Sequence, residues 1–243
     1  MRKAALTLIL ALVSATAGAQ TVEQIVARYL DARGGIERLR AVRSLRLSGR
    51  MVLPGLAAPF VLELKRPDLM RTEFTVEDRP AVRAYDGKTA WMLLPLPGES
   101  PRPMSSEDAA DAKAQADVDL SPLVDSESKG FTVELAGRER RGGRDTWKLV
   151  VRGGGGSPRA LFLDTETHLV VQTEEERTVG GKTIRFATEV GEHRTVGGIV
   201  FPHQIDLGPV GSPERQRLVF ERIEINPLLD DARFSMPKGG SHP

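Results

Sequence analysis

The chain has 243 residues, 34 Lys and Arg against 33 Asp and Glu, and no cysteine. A near-neutral balance excludes the basic footprint that nucleic-acid binding needs, and the absence of cysteine excludes disulfides, thiolate metal sites and a cysteine nucleophile. A chain of this length can hold itself together by burial alone.

Met1-Arg2-Lys3 is a positive n-region. Ala4 to Val13 is an apolar run too short to span a bilayer comfortably, and Ala17-Gly18-Ala19 supplies an A-x-A cleavage site before Gln20. Residues 1–19 therefore read as a secretory signal peptide and 20–243 as one mature domain, expected in the periplasm. Losing Arg2 and Lys3 changes the balance to 32 against 33, a net charge of −1.

The first mature element, Thr21 to Val42, is predicted as an amphipathic helix. Thr21 and Gln24 form a capping-box pair, Val22, Ile25, Val26, Tyr29 and Leu30 recur at helical spacing, and Gly34-Gly35 breaks the helix in two. Alternating strands follow. Leu45, Leu47 and Met51 share one face of the first. Phe60, Leu62 and Leu64 share one face of the second, and Met70, Thr72, Phe74 and Val76 one face of the third. Ala81 to Leu94 reads as a hairpin around Asp86-Gly87. Its second arm, with Trp91 and Leu93, is apolar on both faces and so is expected to be covered on both sides.

Pro95 to Pro103 is a proline-rich loop. Ser105 to Val124 is alanine-rich and helical in propensity, with a cap at Ser105; it reads as a lid or as a surface connector. Strands resume at Phe131, Val133 and Leu135, then at Trp147, Leu149 and Val151. A four-glycine loop, Gly153 to Gly156, lacks the Lys-Ser/Thr and helix of a phosphate loop. From Arg159 to Leu207 four short runs form a meander, in which Ile184, Phe186, Thr188 and Val190 share one face. A last strand ends near Asn226, and Leu229, Phe234 and Met236 in the tail are placed to pack back. The sum is about eleven strands, one N-terminal helix and one mid-chain helix, a mainly β (α+β) fold with no strand–helix alternation.

No catalytic signature is present. No Gly-x-Ser-x-Gly elbow occurs, and the aspartates sit in helix or turn contexts. His193 and His203 flank the Gly197-Gly198 turn, but their phases put them on opposite faces, which argues against a metal pair; no metal and no cofactor are expected. The arginines Arg138, Arg140, Arg141 and Arg144 read as a solvated turn or as a dock for an acidic partner or an anionic headgroup. What remains is the apolar face itself: Phe60, Leu62, Leu64, Phe74, Trp91, Leu93, Trp147, Leu149, Phe186 and Phe201 form either a packed core or the wall of a lipid-binding cavity. Alternation cannot separate the two, because both require it.

The local phrases resemble the LolA-like superfamily of periplasmic outer-membrane lipoprotein-sorting proteins. Tyr85-Asp-Gly-Lys-Thr-Ala-Trp91, Leu161-Phe-Leu-Asp-Thr-Glu-Thr-His-Leu169, Val196-Gly-Gly-Ile-Val-Phe-Pro-His203 and Asn226-Pro-Leu-Leu-Asp-Asp-Ala-Arg-Phe234 carry the resemblance. It implies an unclosed half-barrel whose concave side is capped by helices and holds lipid or lipoprotein acyl chains without catalysis. The protein is then expected to be a monomeric carrier, with an inner- or outer-membrane protein as a further partner. The alternative is an envelope sensor or scaffold module of the same fold acting through a protein partner. The resemblance also implies an early-strand arginine that holds the helical lid closed, for which Arg43, Arg46 and Arg50 lie in the right neighbourhood.

Overall fold

The computed structural model describes residues 20–154, 157–179 and 181–237. Residues 1–19, expected as a signal peptide, fall outside them, as do Gly155, Gly156, Gly180 and His242. Helices α1 (Val22–Ala32) and α2 (Ile36–Ala41) open the described chain. Six strands follow: β1 (Ser44–Leu53), β2 (Leu56–Lys65), β3 (Leu69–Val76), β4 (Arg79–Asp86), β5 (Ala90–Leu93) and the two-residue β6 (Arg102–Pro103). Helix α3 (Ser106–Gln115) leads to a second meander of β7 (Phe131–Arg141), β8 (Arg144–Gly153), β9 (Arg159–Asp164), β10 (Val170–Val179), β11 (Lys182–Val196), β12 (Ile199–Pro209) and β13 (Gln216–Ile225).

All thirteen strands form one antiparallel sheet in the order β6-β5-β4-β3-β2-β1-β13-β12-β11-β10-β9-β8-β7. β1 pairs with β13, which joins the two meanders, while β6 and β7 remain unpaired edges, so the barrel is not closed. This is the half-barrel that the resemblance implies, with two strands more than the rough count from the sequence; β6 lies inside the proline-rich loop, where no alternation marks it.

Local chemistry explains the helix ends. The Thr21 hydroxyl accepts from the Gln24 amide while the Gln24 side chain accepts from the Thr21 amide, so the capping box is formed. At α3 the Ser105 hydroxyl accepts from the Asp108 amide and donates to the Asp108 carboxylate. The expected helix to Val124 is corrected: α3 ends at Gln115. Asp117 turns back onto the Asp119 amide, Leu120 has positive φ, and Pro122 cannot donate a helical hydrogen bond. Long-range ion pairs then fix the segment, since buried Asp119 joins Arg66 (2.5 Å) to Lys129 (2.7 Å).

The sheet has two covered faces. On the concave face Leu39 of α2, Ala112 of α3 and the C-cap residue Ala116 pack against Leu45, Leu47, Phe60, Leu64, Met70, Ile199, Phe201 and Phe220. Ile25 and Tyr29 of α1 pack against Leu149, Val151, Leu161 and Leu163 in a second core. On the outer face the tail folds back over β1–β5. Phe234 and Leu229 pack on Leu69, and Trp91 Nε1 donates to the Phe234 carbonyl at 2.7 Å.

The upper halves of β12 and β13 part, and the α1–α2 turn fills the gap. The Val200 amide donates to the Arg33 carbonyl at 2.9 Å. Gly34 has φ 119°, and a Cβ there would meet the Gly198 carbonyl at 2.2 Å, so only glycine admits this approach. The ladder between β12 and β13 covers only Gln204↔Val219 to Leu207↔Gln216. Its next partners are His203 and Phe220, and there the His203 ring replaces the backbone bond, with Nδ1–H donating to the Phe220 carbonyl at 2.7 Å.

The turn after β9 shows what the Asp-x-x-Thr phrase is for. Asp164 Oδ1 accepts from the Glu166 and Thr167 amides, and Oδ2 accepts from Arg144. Burial pushes this carboxyl up, but the amides of Thr167 and Glu166 and the Arg144 guanidinium outweigh it and hold it below the usual aspartate range. A lowered carboxyl contributes stability above its ordinary pKa and loses it as pH falls through the folded value. Asp164→Ala is therefore expected to cost about 1–3 kcal/mol near neutral pH. Urea midpoints at pH 7 and pH 3 should show that gap closing on the acid side; an equal gap at both would contradict this account of the turn.

Candidate functional site

Strand register assigns each expected wall residue to a face. Opposed residues share a face, so the row Met51↔Leu218 of β1 and β13 continues through Ile205 of β12 to Val190 of β11. Met51, Leu218 and Ile205 belong to the core beneath α2 and α3, which makes this the concave face. Phe60, Leu62, Leu64 and Phe74 share it, and Leu149 and Trp147 reach it on the α1 side. Phe186 keeps the phase of Val190 and is concave as well.

Two expected wall residues are corrected. Trp91 pairs with Ala84, which pairs with Arg71, which pairs with Glu63, and this row lies on the outer face under the tail. Leu93 follows Trp91, since residues two apart in a strand point the same way. Ala90 is the residue of this strand that joins the concave core. Both faces of β5 are apolar because both are covered, so alternation offered no choice between them.

The concave residues divide by cover. Phe60, Leu64, Leu149 and Phe201 are fully buried under the helices and act as packed core. Leu62, Phe74, Trp147 and Phe186 are only half-buried. Around Phe186 lie further half-covered apolar residues that the sequence reading did not single out as wall: Leu53, Val190, Ile205, Leu207 and Leu218. Together they make an apolar strip on the lower part of β1, β13, β12 and β11. Phe186 and Leu207 lie outside both helix-packed cores. Two open depressions lie elsewhere, both on the outer face. One, of about 640 Å³, is lined by Arg43, Lys65 and residues 226–230. The other, of about 190 Å³, lies among Arg46, Glu63, Arg71 and Arg233.

The arginines also sort by face, and this corrects the expected lid residue. Arg46 binds Glu63 and Glu224, and Arg50 binds Glu221, all on the outer side. Arg43 lines the outer groove. The arginine buried against a helix is Arg33, at the end of α1. Its Nη1 donates to the Tyr29 hydroxyl at 2.7 Å, and its guanidinium lies 5.8 Å from both the Tyr29 and Phe201 rings. It makes no ion pair among the described residues, so ring faces replace a carboxylate in holding α1 to β12. Nothing in the sequence distinguishes it from its neighbours.

Histidine geometry agrees with the phase argument. His203 lies on the concave face, while His193 pairs with Pro202 and points outward. Burial and the charges of Arg33 and Arg144 lower the His193 pKa. Among the described residues no cluster of three His, Cys, Asp or Glu has metal-binding geometry, and no helix is long and apolar enough to cross a membrane.

An unclosed antiparallel half-barrel with helices on its concave side and a half-covered apolar strip between them defines a class of fold. Solved structures place the chain in that class by its LolA-like fold. A LolA superfamily protein from Nitrosomonas europaea superimposes with TM-score 0.60 at 14% identity, covering 89% of this chain and 98% of that one. An outer membrane lipoprotein-sorting protein domain from Vibrio parahaemolyticus gives 0.57 at 10% identity, over 87% and 94%. A DUF1329 family protein from Desulfovibrio piger gives 0.59 at 14%, over 89% and 98%. No family model matches the sequence, and no curated protein sequence does.

Proposed function

We propose that this chain is a non-catalytic carrier of the bacterial periplasm that holds the acyl chain of a lipid or lipoprotein on the concave face of its half-barrel. The observation that supports it is the strip of Leu53, Leu218, Ile205, Val190, Leu207 and Phe186, apolar yet only partly covered. Each methylene of a chain laid on such a surface contributes about 0.8 kcal/mol, so a dozen supply roughly 10 kcal/mol before association costs.

The helices supply a cover that can move. α3 and its C-cap meet the sheet mainly through Ala109, Ala112 and Ala116, which offer one methyl group each, with one ion pair from Asp111 to Arg83 at 3.2 Å. Little apolar contact is lost when such a helix swings away. α2 and α1 are anchored by larger side chains, Leu39, Ile25 and Tyr29. In this reading α3 is the lid and Arg33 keeps α1 in place as it opens.

Native mass spectrometry of the chain purified from periplasm, with extraction of whatever it carries, tests the proposal. Copurifying acyl lipid at about one per chain is the expected result. A lipid-free chain that instead retains a protein partner after polar substitution of the strip would favour the sensor reading.

A further inference from the structure

The strip is apolar along its length but not at its end. Two rows below Val190, the register sets Phe186 of β11 opposite Glu175 of β10, and Glu175 opposite Arg159 of β9. Arg159 in turn faces Val151, a member of the core under α1, so these charged residues lie on the concave side. Arg177 faces Ile184 on the same side and stacks its guanidinium 5.2 Å from the Phe186 ring centre. Arg159 Nε donates to Glu175 Oε2 at 2.9 Å, and Arg177 Nε donates to Glu175 Oε1 at 2.7 Å. Two guanidiniums thus share one carboxylate, leaving one positive charge uncompensated within the cluster.

We infer that this cluster receives the anionic head of an acyl amphiphile whose chain lies along Phe186, Leu207, Val190 and Ile205. The inference rests on the carrier reading and adds the chemical class of the ligand. Charge sets the polarity of the site. At the opposite wall the concave Arg83 is neutralised by Asp111 of α3, so that end offers an anion no net charge. At the β9–β11 end each guanidinium keeps N–H donors beyond those spent on Glu175, in the planar fork that matches a carboxylate or phosphate. Arg177 and Glu175 are half-buried, and the ring beneath Arg177 removes water from one face of the guanidinium. An anion bound there meets a partly desolvated partner, where a charged hydrogen bond is stronger than on an open surface. From Phe186 to Val190 the strand runs about 14 Å, so chain and head are held at opposite ends of one continuous surface.

Binding of hexadecanoate, methyl hexadecanoate and hexadecylamine to the purified chain, measured at low and high salt, tests this. The acid is expected to bind about tenfold or more tighter than the ester, and the amine more weakly than either. Arg177→Gln should bring the acid down to the level of the ester, and Glu175→Gln should widen the difference. High salt should narrow it, as for any partly exposed charge. Equal affinity of acid and ester in the wild type, or a preference that survives Arg177→Gln, overturns the head site and leaves the carrier reading standing. Failure of all three amphiphiles to bind overturns the carrier reading itself.

Discussion

Glu63→Ala is expected to lower the unfolding free energy by about 1–3 kcal/mol, the cost of removing a buried carboxylate that accepts charged hydrogen bonds from two partly exposed arginines. The Glu63 side chain is only 1% exposed, on the outer face. Arg46 reaches one of its oxygens at 2.8 Å, and Arg233 of the tail reaches the other at 3.0 Å. Beside it Arg71 is almost as buried; it donates to Glu73 at 2.6 Å and to the Arg233 carbonyl, and lies 5.8 Å from the Trp91 ring centre. Glu63 thus ties the closing 3₁₀ turn, Asp231–Arg233, to β1 and β2. Its loss leaves Arg46 and Arg233 repelling each other next to Arg71, so the tail should loosen from Trp91 as well. Chemical denaturation gives the stability, and Trp91 fluorescence in a Trp147→Phe background gives the tail. A loss below about 1 kcal/mol would mean that the outer ion network is solvated and adds no more than exposed pairs do.

Ile205→Asp should have the largest effect on ligand retention. Ile205 is half-buried in the middle of the strip, between Val190 and Leu218. A carboxylate there can stay ionised and hydrated while the strip is empty, so the fold should survive with a modest loss. An acyl chain laid over it would strip that water, at a cost of several kcal/mol. Retention of acyl lipid is expected to fall by about 100-fold or more, since about 2.7 kcal/mol already corresponds to that ratio. The same change on the outer face, at Val200, should leave retention unaltered.

Much of this architecture was legible in the sequence. The capping box at Thr21, the break at Gly34-Gly35 and the phase of β11 all followed from residue type and spacing, because each is a local requirement. The phrases around Asp86 and Asp164 carried the fold for the same reason: they are turns fixed by short-range bonds, as the Lys88 and Thr89 amides held by Asp86 and the Glu166 and Thr167 amides held by Asp164 show.

What was not legible depends on contacts distant in the chain. The alanine-rich propensity runs on toward Val124, but α3 stops at Gln115, where Asp119 meets Arg66 and Lys129. Trp91 and Ala90 could each have faced inward until the tail claimed Trp91. Phe201 and Phe186 have the same pattern on either side; one lies under the α1–α2 turn and the other has no helix over it. The cluster of Arg159, Glu175 and Arg177 reads along the chain as three surface charges, and only register brings them onto the concave face.

The absence of cysteine makes the strip directly observable. A single Val190→Cys variant carrying an environment-sensitive fluorophore places the reporter on the concave strip, while Glu189→Cys places it on the outer face one residue away. On titration with hexadecanoate, the label at position 190 should change its emission and saturate near one ligand per chain, and the label at position 189 should not respond. A silent label at 190, or equal responses at the two positions, would contradict acyl binding on the concave face.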